Sequence, residues 1–561
     1  MGKLTSLLRL KPIIKKYRLL LLFSVIGMIV SSIVMLPVPY FIGKVLDNIS
    51  IYGQGIKGVM KYIVVIAVLY ALDYIISLTS GYFTTKFNTL ITNDLRYTMI
   101  DKITNLPMSY LSNVEKGYLQ GRISESESIV NLLSINFMST VTTVVNAALS
   151  IGTMFAINYK LALVVLAMGP ISFFLARLSN RAINETTKKM LEVNAKVNAD
   201  CFEILDGVED IKLLNGIKSS TNKFKNKLSE STDTIIRQNR VSQFVQQSIA
   251  TINNLETLLI LIFASILIIN NAFTVGLYTT FTLYSNRIFA AARQLSSIKP
   301  TLKRVCMSIE RIYEILDMDE ENSGREKKIE EKINSIKAEG VSFSYSQKDK
   351  NVLNNIDFEI GEGEKVIISG ENGAGKSTLI KILMGLYEPT NGRILINNMD
   401  IGILNRNSLR EHIGLVSQNI FLFRGTVLDN ILFGQKGKNR EDVERLIKEL
   451  QLEKYIEKLP HGLDTIIVQN RNGVSGGQAQ IIAFIRAMLM KKDIIILDEP
   501  IANVDYETRM LMMDAIKNKT YNGIVILISH HTDGMEFIEK VINIDSMGDW
   551  KRNSMLEKAY N

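Results

Sequence analysis

The stretch from Lys365 to Leu386 constrains this chain more than any other. Val366, Ile367 and Ile368 predict a short buried strand, and Lys376 to Leu383 predicts the start of a helix. Between them, Gly370, Glu371, Asn372, Gly373, Ala374, Gly375, Lys376 and Ser377 satisfy G-x-x-x-x-G-K-[ST] in the strand–loop–helix setting that the motif requires. Gly370, Gly373 and Gly375 let the backbone curl until successive N–H groups point into one concavity. The helix behind them adds the positive end of its dipole, where a phosphate is stabilised. Lys376 is placed to reach the terminal phosphates of a nucleotide, and the Ser377 hydroxyl to ligate Mg²⁺. Thr378 completes the candidate nucleotide-binding set.

At 561 residues the chain is too long for one core, so two or more domains are expected. It is 47% apolar yet 22% charged, which predicts a membrane part joined to a soluble part. The net charge of +9 does not indicate nucleic acid, because the basic residues are not interleaved with aromatics in one patch. Many flank apolar segments, where the positive-inside rule accounts for them. The two cysteines, Cys201 and Cys306, lack metal-ligand spacing and read as free thiols. No small-residue cleavage site follows the first apolar run, so a retained membrane helix is expected.

Six spans are predicted: Leu19 to Tyr40, Val59 to Phe83, Phe137 to Ile157, Leu161 to Leu175, Ile249 to Ile269, and Val275 to Leu295. Lys86 to Arg122 and Arg177 to Arg240 are rich in Lys and Arg, whereas Asn158–Lys160 carries one basic residue and Asn270–Thr274 none. That asymmetry places both ends of the chain in the cytoplasm. The two basic segments lack proline apart from Pro107, so helices that continue beyond the bilayer are expected. Leu106-Pro107-Met108 predicts a bend. Asp73, Glu256 and Arg287 lie inside spans, where charge is expensive. Either Arg287 pairs structurally with one of the acids, or the acids contact cargo. A Glu256 on the pathway would favour a cationic or amphipathic cargo.

Two loops carry a family resemblance. Leu106 to Ile123 resembles the first intracellular loop of ATP-binding cassette exporters, and Glu203 to Lys212 the second. Ser308 to Leu316 is similar to the helix that leaves the last span. The resemblance implies a coupling helix in each loop, the second docking on the partner subunit. Tyr118 stands where the family often has an acid.

The same resemblance orders the remaining motifs. Tyr345, on an alternating edge strand, would stack on adenine; packing across the sheet is the other reading. Gln418 stands in a Q-loop, as a ligand to Mg²⁺ or to the attacking water. The apolar run Ile494 to Leu497 ends in Asp498 and Glu499, fitting a Mg²⁺ partner and a general base. His530 matches the switch histidine that contacts the γ-phosphate, while His412, His461 and His531 read as surface. Val474 to Gln478 resembles the signature, with Val for the usual Leu. Ser475, Gly476, Gly477 and Gln478 at a helix start make a second phosphate cradle. One nucleotide cannot fill two cradles on one domain, so each ATP would be clamped between two subunits. Val504-Asp505 resembles the D-loop along that interface.

Some positions depart from the family. Ala479, Gln480 and Ile481 follow the signature where Arg or Lys is usual. Val468, Gln469 and Arg471 replace a usual Gly, Glu and Gly. Both changes are expected to touch coupling, not hydrolysis.

The expected fold is a six-helix α-helical transmembrane domain with long helical extensions (1–316), a linker (317–337), and an α/β nucleotide-binding domain of the P-loop NTPase class (338–561). The expected activity is ATP-driven export of a peptide, drug-like amphiphile or lipid by a multi-pass dimer in the plasma membrane. ATP and Mg²⁺ are the expected cofactors, a second half-transporter the expected partner, and nucleic acid is not expected as one. The alternatives are a lipid flippase, a sensor or ATP-gated channel that does not pump, and a mechanical ATPase on nucleic acid.

Overall fold

Proline sets the first break in the helical half of the chain. In the computed structural model, helix α1 (Arg18–Met35) stops and α2 (Val38–Ser50) restarts, where hydropathy alone predicts one span from Leu19 to Tyr40. Pro37 and Pro39 have no N–H, so the carbonyls of Ile33 and Met35 lose their helical donors. The Leu36 N–H tightens onto the Ile33 carbonyl (3.2 Å), and Arg287 Nη2 donates to the Met35 carbonyl (2.9 Å). Tyr284 Oη and Thr280 Oγ1 donate to the carbonyls of Leu36 (2.7 Å) and Pro39 (3.1 Å). The last membrane helix thereby supplies what the prolines remove.

The structure describes residues 7–50, 56–133, 135–346, 350–468, 474–500, 504–517, 523–528 and 537–544. They divide into two units, Met1–Asp101 with Gly117–Asp317, and Lys102–Lys116 with Met318–Asn561. In the first unit, α3 (Ile56–Thr104), α4 (Ile135–Ile157), α5 (Tyr159–Asp206), α6 (Ile217–Ile269) and α7 (Val275–Leu316) contain the other five expected spans. At ~1.5 Å per residue, the 53 residues of α6 reach ~80 Å, more than twice a ~30 Å hydrocarbon core. Each such rod therefore continues beyond the bilayer. Among the described residues, four helices are long and apolar enough to cross a membrane: Arg18–Ser50, Ile56–Thr104, Ser139–Ile157 and Ile217–Ile269. The start of α7 is more polar, with Thr279, Thr280, Thr282, Ser285, Asn286 and Arg287. Short helices Met108–Leu111 and Val208–Leu213 follow Pro107 and Gly207 within the two basic segments.

Asp47 is a structural acid that the sequence does not announce. It is buried and accepts from the Gly276 N–H (2.8 Å) and Thr274 Oγ1 (2.9 Å), capping the start of α7. A Cβ on Gly276 would lie 2.0 Å from the Gly43 carbonyl oxygen, so only glycine allows this approach.

The second unit is built on two sheets. Strands β1 (Ile336–Phe343), β2 (Leu353–Ile360), β4 (Asn391–Ile396) and β5 (Met399–Asp400) form an antiparallel sheet in the order β2-β1-β4-β5. Strands β3 (Lys365–Ser369), β6 (Ile413–Val416), β9 (Ile494–Asp498), β10 (Ile524–Ile528) and β11 (Lys540–Asn543) form a parallel sheet in the order β11-β3-β10-β9-β6. A short antiparallel pair is formed by β7 (Gly425–Thr426) and β8 (Ile466–Ile467). The parallel strands are apolar at nearly every position because both faces are covered. Val366, Ile368, Ile494, Ile496, Ile524 and Ile526 enter one core; Ile367, Ile495, Leu497, Val525 and Leu527 enter the other. The stretch whose charge predicts a linker is packed onto this unit: Ile329 and Ile333 are buried in the first core, and the Ile329 N–H donates to Ser408 Oγ (2.9 Å).

Candidate functional site

Because β3, β10, β9 and β6 are adjacent and parallel, their carboxyl ends line one edge, where open α/β sheets gather ligands. From β3 comes the phosphate loop, from β9 come Asp498 and Glu499, and β6 leads to Gln418. β10 leads to His530, which lies outside the described residues, as do Gln469, Arg471 and His531.

The phosphate loop joins β3 to helix α8 (Lys376–Leu383). Gly375 precedes the helix at φ 98°, and a Cβ there would sit 2.7 Å from Leu353 Cδ2. Both facts require glycine. The Lys376 ammonium arches back over its own loop, donating to the carbonyls of Gly370 (2.6 Å) and Glu371 (2.9 Å). Beyond the loop, Thr378 Oγ1 lies 3.0 Å from Tyr345 Oη. The Tyr345 ring packs edge-to-face on Phe343 (centroids 5.0 Å apart) and Tyr387 (5.3 Å) and is 42% exposed. Both readings of Tyr345 thus have a basis: one edge packs within the sheet region, and surface is left that an adenine could cover.

The two acids at the end of β9 are held differently. Asp498 is buried and receives Ser377 Oγ at 3.4 Å. Burial, and then the Glu499 charge, raise its pKa, while the Ser377 hydroxyl, the Gln418 backbone N–H and Lys376 pull it down. Glu499 has left-handed backbone (φ 50°), a conformation costing ~1–3 kcal/mol for a non-glycine residue. Three bonds over-determine it. Its N–H donates to the Ile528 carbonyl (3.0 Å), its carbonyl accepts from Gln480 Nε2 (2.7 Å), and its Oε2 accepts from Gln418 Nε2 (2.8 Å).

The residues after the signature also reach the hydrolytic site: Ala479, Gln480 and Ile481 are all buried, and Gln480 donates to the backbone carbonyl of Glu499. A polar residue on the core face of an apolar helix was the signal that could have shown this. Val468 is exposed. His412, expected at the surface, is half-buried with Nδ1 at 2.6 Å from Asp493 Oδ2.

Ser475 caps helix α9 (Gly476–Leu489) in a capping box: its Oγ accepts from the Gln478 N–H (3.3 Å), and its N–H donates to Gln478 Oε1 (2.8 Å). Asp505 likewise caps helix α10 (Tyr506–Lys517), accepting from the Thr508 N–H (3.0 Å) and Thr508 Oγ1 (2.9 Å).

Among the described residues no three His, Cys, Asp or Glu side chains gather as a metal cage. Mg²⁺ does not need one; it takes one or two carboxylates with hydroxyl, amide, phosphate and water oxygens. Ser377, Asp498 and Gln418 offer that hard-oxygen set.

Comparison with known proteins matches the two units to two families. Residues 21–292 match the family described as ABC transporter transmembrane region, and residues 353–502 the one described as ABC transporter. An ATP-dependent lipid A-core flippase of Albidiferax ferrireducens is 26% identical over 96% of this chain and 93% of the relative. A leukotoxin translocation ATP-binding protein of Mannheimia glucosida is 26% identical over 95% of this chain and 75% of the relative. A solved structure of a bacterial Atm1-family ABC exporter with ATP bound shares the fold at TM-score 0.80 and 19% identity, over 98% of this chain and 97% of the other. One membrane region followed by one ATPase domain, each matched in order along a single chain, makes this protein a half-transporter of the ATP-binding cassette exporter family.

Proposed function

We propose that two copies of this chain export an amphiphilic cargo across the cell membrane, with both termini and the ATPase units in the cytoplasm. Lys376 and the N–H groups of Gly373, Gly375 and Ser377 hold the β- and γ-phosphates, and Tyr345 stacks on adenine. Ser377, Asp498 and Gln418 would hold Mg²⁺, which neutralises phosphate charge when bound. Glu499 polarises the attacking water, held in place by Gln418 and by the backbone bond from Gln480. His530 contacts the γ-phosphate. The Ser475, Gly476, Gly477 and Gln478 of one subunit close over the nucleotide on the other. ATP binding draws the cassettes together and turns the membrane helices outward; hydrolysis resets them.

The observation that carries this reading is the grouping of Gln418, Glu499, Asp498 and Ser377 beside the phosphate loop. Composite sites make a sharp test. Lys376→Ala and Ser475→Arg each silence a homodimer, but a mixed dimer places both lesions in one site and leaves the other intact. Mixed dimers should recover part of the ATPase rate, measured as phosphate release. No recovery in verified mixed dimers would rule out composite sites here.

For cargo, the names of the relatives point to a lipid or a polypeptide. The flippase reading has the more complete match, over 93% of that relative against 75% of the leukotoxin translocator.

A further inference from the structure

Asp73, Glu256 and Arg287 lie well inside the membrane-spanning segments, and the structure gives two of them a partner from another helix or its backbone. Asp73 accepts from Ser31 Oγ (2.5 Å). Arg287 donates through Nη2 to the Met35 carbonyl that Pro39 leaves free, while its Nη1 is buried without a partner. Glu256 is different. It is 3% exposed, its Oε1 accepts from Ser285 Oγ, and among the described residues no cation lies near enough to compensate it. The structural pair with Arg287 is not formed.

Further unpaired acceptors lie on α6 and α4. Asn253 Oδ1, one turn away on α6, is buried without a hydrogen-bond partner; so are Asn146 Oδ1 and Ser150 Oγ, one turn apart on α4. Met154, Ile260, Phe281, Tyr284 and Phe289 belong to one apolar cluster shared by these helices. Ser150 lies one turn inward of Met154, Glu256 one turn inward of Ile260, and Ser285 one turn inward of Phe281. These positions form a polar layer one to two turns inward of the cluster, with a carboxylate, two amide oxygens and a hydroxyl. Orphaned acceptors in an apolar setting are costly and mark function more often than stability.

We infer that this layer binds a cationic group of the cargo, an ammonium or guanidinium on an amphiphile, with Glu256 as its counter-charge. The inference rests on the exporter reading and names its substrate class. A donor-rich cation pairs with Glu256 and with the unpaired Asn253 one turn away; an anion pairs with neither and is repelled by Glu256.

The test uses the full-length protein in phosphatidylglycerol nanodiscs and two probes, a dansyl fluorophore with a pentylammonium tail and the same fluorophore with a carboxylate tail. The ammonium probe should bind the native protein more tightly. Glu256→Gln should weaken it by about tenfold, as expected for losing a charge-assisted hydrogen bond, and leave the carboxylate probe unchanged. Glu256→Asp should keep most of the affinity. Equal binding of the two probes, or an unaltered ammonium affinity in Glu256→Gln, overturns the inference. If Glu256→Gln does not fold, Asn253→Ala and Ser150→Ala carry the test, each expected to weaken the ammonium probe about threefold; no change in either overturns it equally. Adding phosphatidylethanolamine separates the sources: competition with the probe points to a lipid headgroup ammonium, and its absence to a soluble cation, both within the class proposed. ATP-driven accumulation of the probe in sealed vesicles tests the exporter reading on its own. Glu256-dependent binding without uphill movement would sink the exporter and keep the site, whereas uphill movement indifferent to Glu256 would do the reverse.

Discussion

Asp498 and Glu256 are both buried carboxylates, and they show how differently the two units carry polar chemistry. Asp498 ends a strand, Lys376 and Ser377 start the helix that follows β3, and Gln418 follows β6, all at one edge of one sheet. Its burial is offset by hydroxyl, N–H and ammonium groups that the fold delivers to the same edge. Glu256 lies in the middle of a helix with one hydroxyl from α7, in a layer whose other members come from α4 and α6. A strand end concentrates chemistry into contiguous residues. A helix bundle scatters it, one residue per turn, over segments a hundred positions apart.

The first way to break that contrast is at the concentrated end. Glu499→Gln keeps the bond to Gln418 in shape but removes the base, so hydrolysis should fall by ~10² or more while ATP binding persists. Phosphate release alongside fluorescent-ATP binding measures both. Near-normal turnover would remove Glu499 from the role of base.

A smaller effect is expected one residue behind the site. Gln480→Leu keeps the volume but takes away the amide donor that the Glu499 carbonyl accepts from. That costs ~1–3 kcal/mol and frees the strained backbone of Glu499, so turnover should fall roughly tenfold or more with ATP affinity retained. If ATP affinity falls in step with turnover, the glutamine supports the fold of the site and not the aim of Glu499.

The phosphate loop, the β9 acids and Gln418 were readable because each is a short word in a fixed local setting. The strand before the loop, the glycines and the helix after it all follow from one run of residues. Gln480 was not readable in that way. Its role depends on which face of α9 meets β9, and no neighbour in sequence reports that. Asp47 and Arg287 were hidden for a similar reason, since each serves backbone groups more than 200 positions away. The break in the first span was half visible: the prolines announced it, but not the side chains that make it tolerable.

The smallest expected effect tests that last point and closes on the dispersed end. If Arg287 is there for the Met35 carbonyl, then Arg287→Met should lower stability by about 1 kcal/mol, the usual scale of a hydrogen bond between membrane helices. The loss should be visible as a lower melting temperature in lipid nanodiscs. Pro39→Ala restores the N–H that the helix lacks. Leu36 already has helical backbone (φ −60°, ψ −46°), so that N–H falls within reach of the Met35 carbonyl. Pro39→Ala should therefore rescue Arg287→Met, because it replaces the donor in the same place. Rescue by Glu256→Gln instead would mean that the arginine answers the acid across the bundle, and the two charges would have to be read as one structural pair. The two rescues are chemically exclusive in what they repair, one a carbonyl and the other a charge, so a single set of melting curves separates them.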